Sequence, residues 1–138
     1  MAYDARRELH LTKGGATLGP KVAQPDESKE FATPERCSIL EVWNDAGDSA
    51  ASIARARVAA GTTTQWHRLR GVVERYLIVA GSGFVEVGSS IAQAVRPGDV
   101  VVIPAELPQR ITNTGRDDLV FYAICSPRFT PECYESLE

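Results

Sequence analysis

The chain has 138 residues, 43% of them hydrophobic and 24% charged, and carries a net charge of −3. This length suits one domain with its own core, and the composition excludes a disordered chain. The slight negative charge excludes the basic surface that nucleic acids require, and no apolar run approaches the ~20 residues that cross a bilayer as a helix.

Residues 1–36 mix charge with glycine and proline, as in Gly14-Gly15, Gly19-Pro20 and Pro34-Glu35, and read as an irregular arm with room for one short strand or turn of helix. The start of the arm has no apolar stretch of the signal-peptide kind, so a cytoplasmic protein without membrane attachment is expected. Three cysteines, Cys37, Cys125 and Cys133, form no CxxC pair and leave one unmatched in any disulfide scheme, which suits a reducing compartment. From residue 37 to 126 the pattern changes to short strands separated by turns. The predicted strands cover 38–43, 50–59, 63–69, 74–79, 84–87, 99–103, 109–113 and 119–125. Residues 127–138 form a tail, with a short helix expected over 131–137. Cys125, closing an apolar strand, is expected to be a small buried hydrophobe. Eight short strands in about 90 residues predict an all-β jelly roll.

Alternation along a strand fixes which side chains face the interior. With His67 inward, Gln65 and Leu69 follow it; Glu74, Tyr76 and Ile78 share a face, as do Gln109, Ile111 and Asn113. A polar cluster among apolar neighbours inside a barrel is the usual make-up of a small-molecule site. Arg68, Arg70, Arg75 and Arg110 are expected outside.

Two stretches carry a family pattern. In the first, Gly61, His67, Glu74 and Gly81 fall in register with Gly-x5-His-x-His-x3,4-Glu-x6-Gly; in the second, Gly98, Pro104 and Asn113 match Gly-x5-Pro-x-Gly-x2-His-x3-Asn. These are the two motifs of the cupin superfamily, which the chain resembles. The resemblance implies a double-stranded β-helix, a jelly-roll barrel, and an arm that often lies on a partner subunit. It is incomplete at the site: Leu69 stands in place of the second histidine, Gln109 in place of the third, and Glu106 in place of a glycine.

The template positions that remain, His67, Glu74 and Gln109, offer one imidazole, one carboxylate and one amide oxygen. Such a set could hold zinc, manganese, iron or nickel weakly; the alternative is a metal-free barrel in which His67 and Glu74 hydrogen-bond one another. His10 is the sole other histidine, so an iron site with two histidines and one carboxylate is not expected. The remaining chemistry is acid–base. A partly apolar cavity raises the pKa of Glu74, making it a candidate general base or acid; Tyr76 is a candidate donor to a developing oxyanion, and Gln109 a candidate ligand-orienting group. Arg55 and Arg57 share one strand face, and would recruit a carboxylate or phosphate if that face lined the cavity; otherwise they form a solvated outer face. Phe129 and Tyr134 are placed to pack over a barrel mouth, with Arg128 beside them.

Glu74, Tyr76 and Gln109 together suit proton abstraction beside a carbonyl, so the expected function is a small cupin enzyme of isomerase, cyclase or lyase type acting by acid–base or Lewis-acid catalysis on a sugar derivative, keto or hydroxy acid or polyketide; the alternative is a module that holds such a ligand without turning it over. A homodimer is expected, because an open jelly roll leaves edge strands to be covered.

Overall fold

A computed structural model describes residues 18–138. Residues 18–30 run along the surface with a single 3-10 turn, Glu27–Lys29, capped by Asp26, whose side chain accepts from the Ser28 amide. The strands are β1 (Phe31–Ala32), β2 (Ser38–Trp43), β3 (Ser52–Val58), β4 (His67–Leu69), β5 (Val73–Ala80), β6 (Gly83–Val87), β7 (Ile91–Val95), β8 (Val100–Ile103), β9 (Gln109–Asn113), β10 (Leu119–Ser126) and β11 (Tyr134–Ser136). They form two antiparallel sheets, one ordered β1-β2-β3-β10-β5-β8 and the other β11-β4-β9-β6-β7. This is the expected all-β jelly roll, with both sheets unclosed.

The core lies between the sheets because apolar residues alternate inward on the long strands. On β10, Leu119, Phe121, Ala123 and Cys125 are buried while their neighbours are partly exposed; β5 and β9 follow the same rule. The main cluster includes Val58, Ile78, Val85, Ile103, Ile111, Leu119 and Phe121. A second, smaller cluster of Leu69, Val72, Cys125 and Cys133 has Phe129 and Tyr134 packed against it, at the end of the barrel that holds the site.

Turn geometry explains two positions in the family pattern. Gly81 has φ 82°, and a Cβ there would lie 2.6 Å from the Asp118 carbonyl oxygen, so no side chain fits. Glu106 keeps the left-handed backbone of the glycine it replaces, at φ 74°. Its carboxylate accepts from the Gly71 amide at 2.7 Å, and its own amide donates to the Leu69 carbonyl at 2.9 Å. The substitution thus ties the turn after β8 to the turn after β4.

Several expectations need correction. The strand 63–69 contracts to β4, with Thr63 making an isolated bridge to Thr112. Because regular alternation begins only at His67, Thr64 is buried and Gln65 is not. Strand β7 was not anticipated. The tail forms a 3-10 turn, Pro131–Cys133, and then β11 rather than a helix: Tyr134, Glu135 and Ser136 pair with Leu69, Arg68 and His67. The arm, by contrast, holds the short strand and the helical turn that were open to it: β1 adds to β2 just after the Glu27–Lys29 turn. His10 lies outside the described residues. No helix among those residues is long and apolar enough to cross a membrane.

Candidate active site

A cavity of about 460 Å³ opens at one end of the barrel, within the size range of small-molecule sites. β4 and β5 present His67, Leu69, Glu74 and Tyr76 to it; β3 and β10 contribute small or apolar walls, Ala54, Ala56, Phe121, Ala123 and Cys125; the C-terminal segment supplies Phe129 and Tyr134. Leu69, in the place of a histidine, contributes an alkyl surface.

Glu74 is the centre of the polar wall. One carboxylate oxygen accepts from Gln109 Nε2 at 2.8 Å, and the other lies 3.6 Å from Cys125 Sγ. Gln109 uses its opposite end to accept a hydrogen bond from the Tyr76 hydroxyl. The chain of contacts therefore runs Glu74–Gln109–Tyr76. Burial raises the pKa of Glu74, partly opposed by the hydrogen bonds it accepts from Gln109 and Cys125 and by the nearby Tyr76 hydroxyl. Burial, followed by the negative charge of Glu74, also raises that of Tyr76, so its hydroxyl stays a donor through neutral pH.

His67 does not bond Glu74. Its Nδ1 lies 2.6 Å from the Gln65 carbonyl oxygen, which can only accept, so Nδ1 carries the proton and Nε2 is left as an acceptor. Burial lowers the pKa of the ring, the Gln65 bond opposing it, and favours the neutral form. Tyr134 stacks on the ring with centroids 4.9 Å apart and donates to the Gln65 side chain. The tail thereby fixes the histidine.

A second carboxyl was missed in the sequence. Glu35, between β1 and β2, lines the cavity. Its carbonyl accepts from the Gln65 amide at 2.9 Å. The next residue, Arg36, has φ 69° and is clamped by two 3.0 Å bonds to Glu138 and one of 2.8 Å to the Thr63 carbonyl. Burial, then the charge of Glu74, pushes the Glu35 carboxyl up to about 7. Glu41 also lines the cavity; burial raises its pKa, against the Asn44 hydrogen bond and the positive charge of Arg128.

The other expected site residues stand elsewhere. Gln109 is buried behind the wall and does not line the cavity, so it orients Glu74 and Tyr76 rather than meeting a ligand. Arg55 and Arg57 do not line it either. Alternation on β3 turns Ala54 and Ala56 inward and both arginines outward, where Arg55 pairs with Glu27 and Glu30 at 2.6 and 2.8 Å and Arg57 meets Glu30 and Asp118. They anchor the N-terminal segment. Arg68, Arg70 and Arg110 form ion pairs with Glu135 and Glu86, and Arg75 bonds Ser126.

The donor set does not fit a transition metal. Such an ion takes three or four N, O or S ligands. Here the amide oxygen of Gln109 already accepts from Tyr76, and its nitrogen faces Glu74. Among the described residues, no group of three or more His, Cys, Asp or Glu side chains is placed to hold a metal ion.

Comparison with known proteins agrees with the fold. The family model described as Cupin domain matches residues 54–125. An uncharacterized protein of Methanocaldococcus jannaschii, MJ1618, is 31% identical over 87 residues, covering 63% of this chain and 69% of that protein. Among solved structures, KdgF from Halomonas sp. superposes with a TM-score of 0.65 at 16% identity, covering 73% of this chain and 89% of the other. Pac13, described as a nucleoside dehydratase and solved from Streptomyces in variants with uridine, superposes at 0.69 and 13% identity, covering 86% and 92%. CapF of Staphylococcus aureus, a capsular polysaccharide assembling protein, superposes at 0.64 and 21% identity, with 79% of this chain and 34% of that one covered.

Proposed function

The chain belongs to the cupin domain family, and from that premise we propose that it is a small enzyme that moves protons on a small oxygenated substrate, as an isomerase, cyclase or lyase does. The observation that carries this reading is the buried chain Glu74–Gln109–Tyr76 in the wall of a 460 Å³ cavity. Ionised Glu74 takes a proton from a carbon beside a carbonyl. The bonding pair moves into the enolate, and its oxygen is met by the carboxyl of protonated Glu35, which lines the same cavity, while Tyr76, its one proton committed to Gln109, holds that amide against Glu74. Neutral His67, with Nε2 free to accept, orients a substrate hydroxyl. Dehydratase activity in the fold neighbour Pac13 is the same class of chemistry, and the likeness to it is one of fold.

The second reading, a module that holds a ligand without turning it over, is favoured by Leu69 in the place of a ligating histidine. Product formation from a panel of hydroxy ketones, followed by NMR, separates the two. Turnover that falls about 10²–10⁴-fold in Glu74→Gln supports the enzyme; binding without turnover supports the module. The proposal includes a homodimer, because β8 ends its sheet with Val100 and Val102 each 58% exposed.

A further inference from the structure

We infer that the cavity selects uncharged, oxygen-bearing ring compounds and turns away those carrying a phosphate, sulfonate or carboxylate. This rests on the reading that the cavity is the substrate site, and it narrows the substrate class.

The charges facing the cavity are unequal. Glu35, Glu41 and Glu74 line it against one guanidinium, Arg128. Its Nε donates to Asn44 Oδ1 at 2.9 Å, and its charge bears on Glu41. The arginines that could have received an anion point elsewhere. Arg55 and Arg57 hold the N-terminal segment on the outer face, and Arg36 is bound by both oxygens of Glu138. An anion entering here would lose its hydration beside three carboxyls, with Arg128 the one guanidinium that lines the cavity among the described residues. The upward shifts of all three carboxyls have the same origin, since burial is the largest cause for each and Glu74 adds to that of Glu35.

The remaining surface suits a neutral ring. Tyr134 stacks on His67, and Tyr76 packs against Phe121 with centroids 4.3 Å apart, so aromatic faces and edges frame the space. A carboxyl hydrogen-bonds a hydroxyl group whether or not it is ionised and a carbonyl group when protonated, whereas it tolerates an anion only when protonated.

Calorimetry with two probes of one ring system tests this: naphthalenemethanol, which is neutral, and naphthalenesulfonate. The neutral probe is expected to bind wild type, with affinity about tenfold or more above that of the sulfonate. Ala54→Leu, which fills the cavity, should abolish that binding, and Glu41→Gln should narrow the preference. The wild type alone supplies a second readout: sulfonate binding should weaken as pH rises through about 7, where Glu35 ionises, while neutral binding holds. Equal or tighter sulfonate binding overturns the inference, as does failure of the neutral probe to bind. Charge selection without turnover of any substrate would leave this inference standing and remove catalysis; turnover of an anionic substrate would do the reverse.

Discussion

Glu35 is the residue whose chemistry depends most on its surroundings. Its carboxyl is raised from the ordinary 4.5 to about 7, so between these values the folded chain holds a proton that the unfolded chain has released. Its contribution to stability is therefore full below about 4.5 and is lost as pH rises through about 7. Urea denaturation across this window should show a loss of stability with rising pH that is reduced in Glu35→Gln; an unchanged slope would place the carboxyl in water. Tyr76→Phe removes the donor to Gln109 and leaves a buried acceptor unmet, at a cost of about 1–3 kcal/mol in the same assay. The inward set His67, Leu69, Glu74, Tyr76 and Gln109 was legible because period-two alternation holds on β4, β5 and β9. Glu35 was not, since nothing local distinguishes Pro34-Glu35-Arg36 from the other acidic turns of the arm. Glu41 was hidden for another reason. Its neighbour Leu40 is buried on the outer face beside Arg55, near the Glu27–Lys29 turn, so the apolar side chain points out of the barrel and the acid points in.

Among the elements, the turn before β9 shows how a motif glycine can be replaced. Glu106 occupies a left-handed conformation and offsets its strain through the bond to Gly71. Glu106→Ala keeps the strain and loses the bond, so it should cost about 1 kcal/mol, while Glu106→Gly loses the same bond but relieves the strain and should be nearly neutral. Equal losses in thermal unfolding would contradict this. Strand β11 carries Tyr134 onto His67 and pairs along β4, so the tail is part of the site. Its sequence, Tyr134-Glu135-Ser136, is too short to declare a strand, and the pairing that makes it one comes from a strand 65 residues earlier in the chain. Strand β7, Ile91-Ala92-Gln93-Ala94-Val95, was obscured for a related reason: its residues are mostly exposed, so it lacks the alternation that marks a half-buried strand.

The whole molecule is a jelly roll whose two motif stretches were readable because their glycines and prolines sit at turns that few other residues can make. The metal site implied by the same motifs was not, because ligand position alone does not say that Gln109 is engaged by Tyr76. Exposure of Val100 and Val102 on an edge strand leads to a dimer mass in solution, and Val102→Lys should shift it toward the monomer; a monomeric wild type at micromolar concentration would reject that assembly. The central claim is that Glu74 moves protons on a bound carbonyl compound. Solvent deuterium exchange tests it most directly: neutral cyclic ketones are incubated with the protein in D₂O, and label beside the carbonyl is read by NMR. The account predicts incorporation by wild type that falls about 10²–10⁴-fold in Glu74→Gln. Equal incorporation by both proteins, or none above the uncatalysed rate for ketones shown to bind, would contradict it.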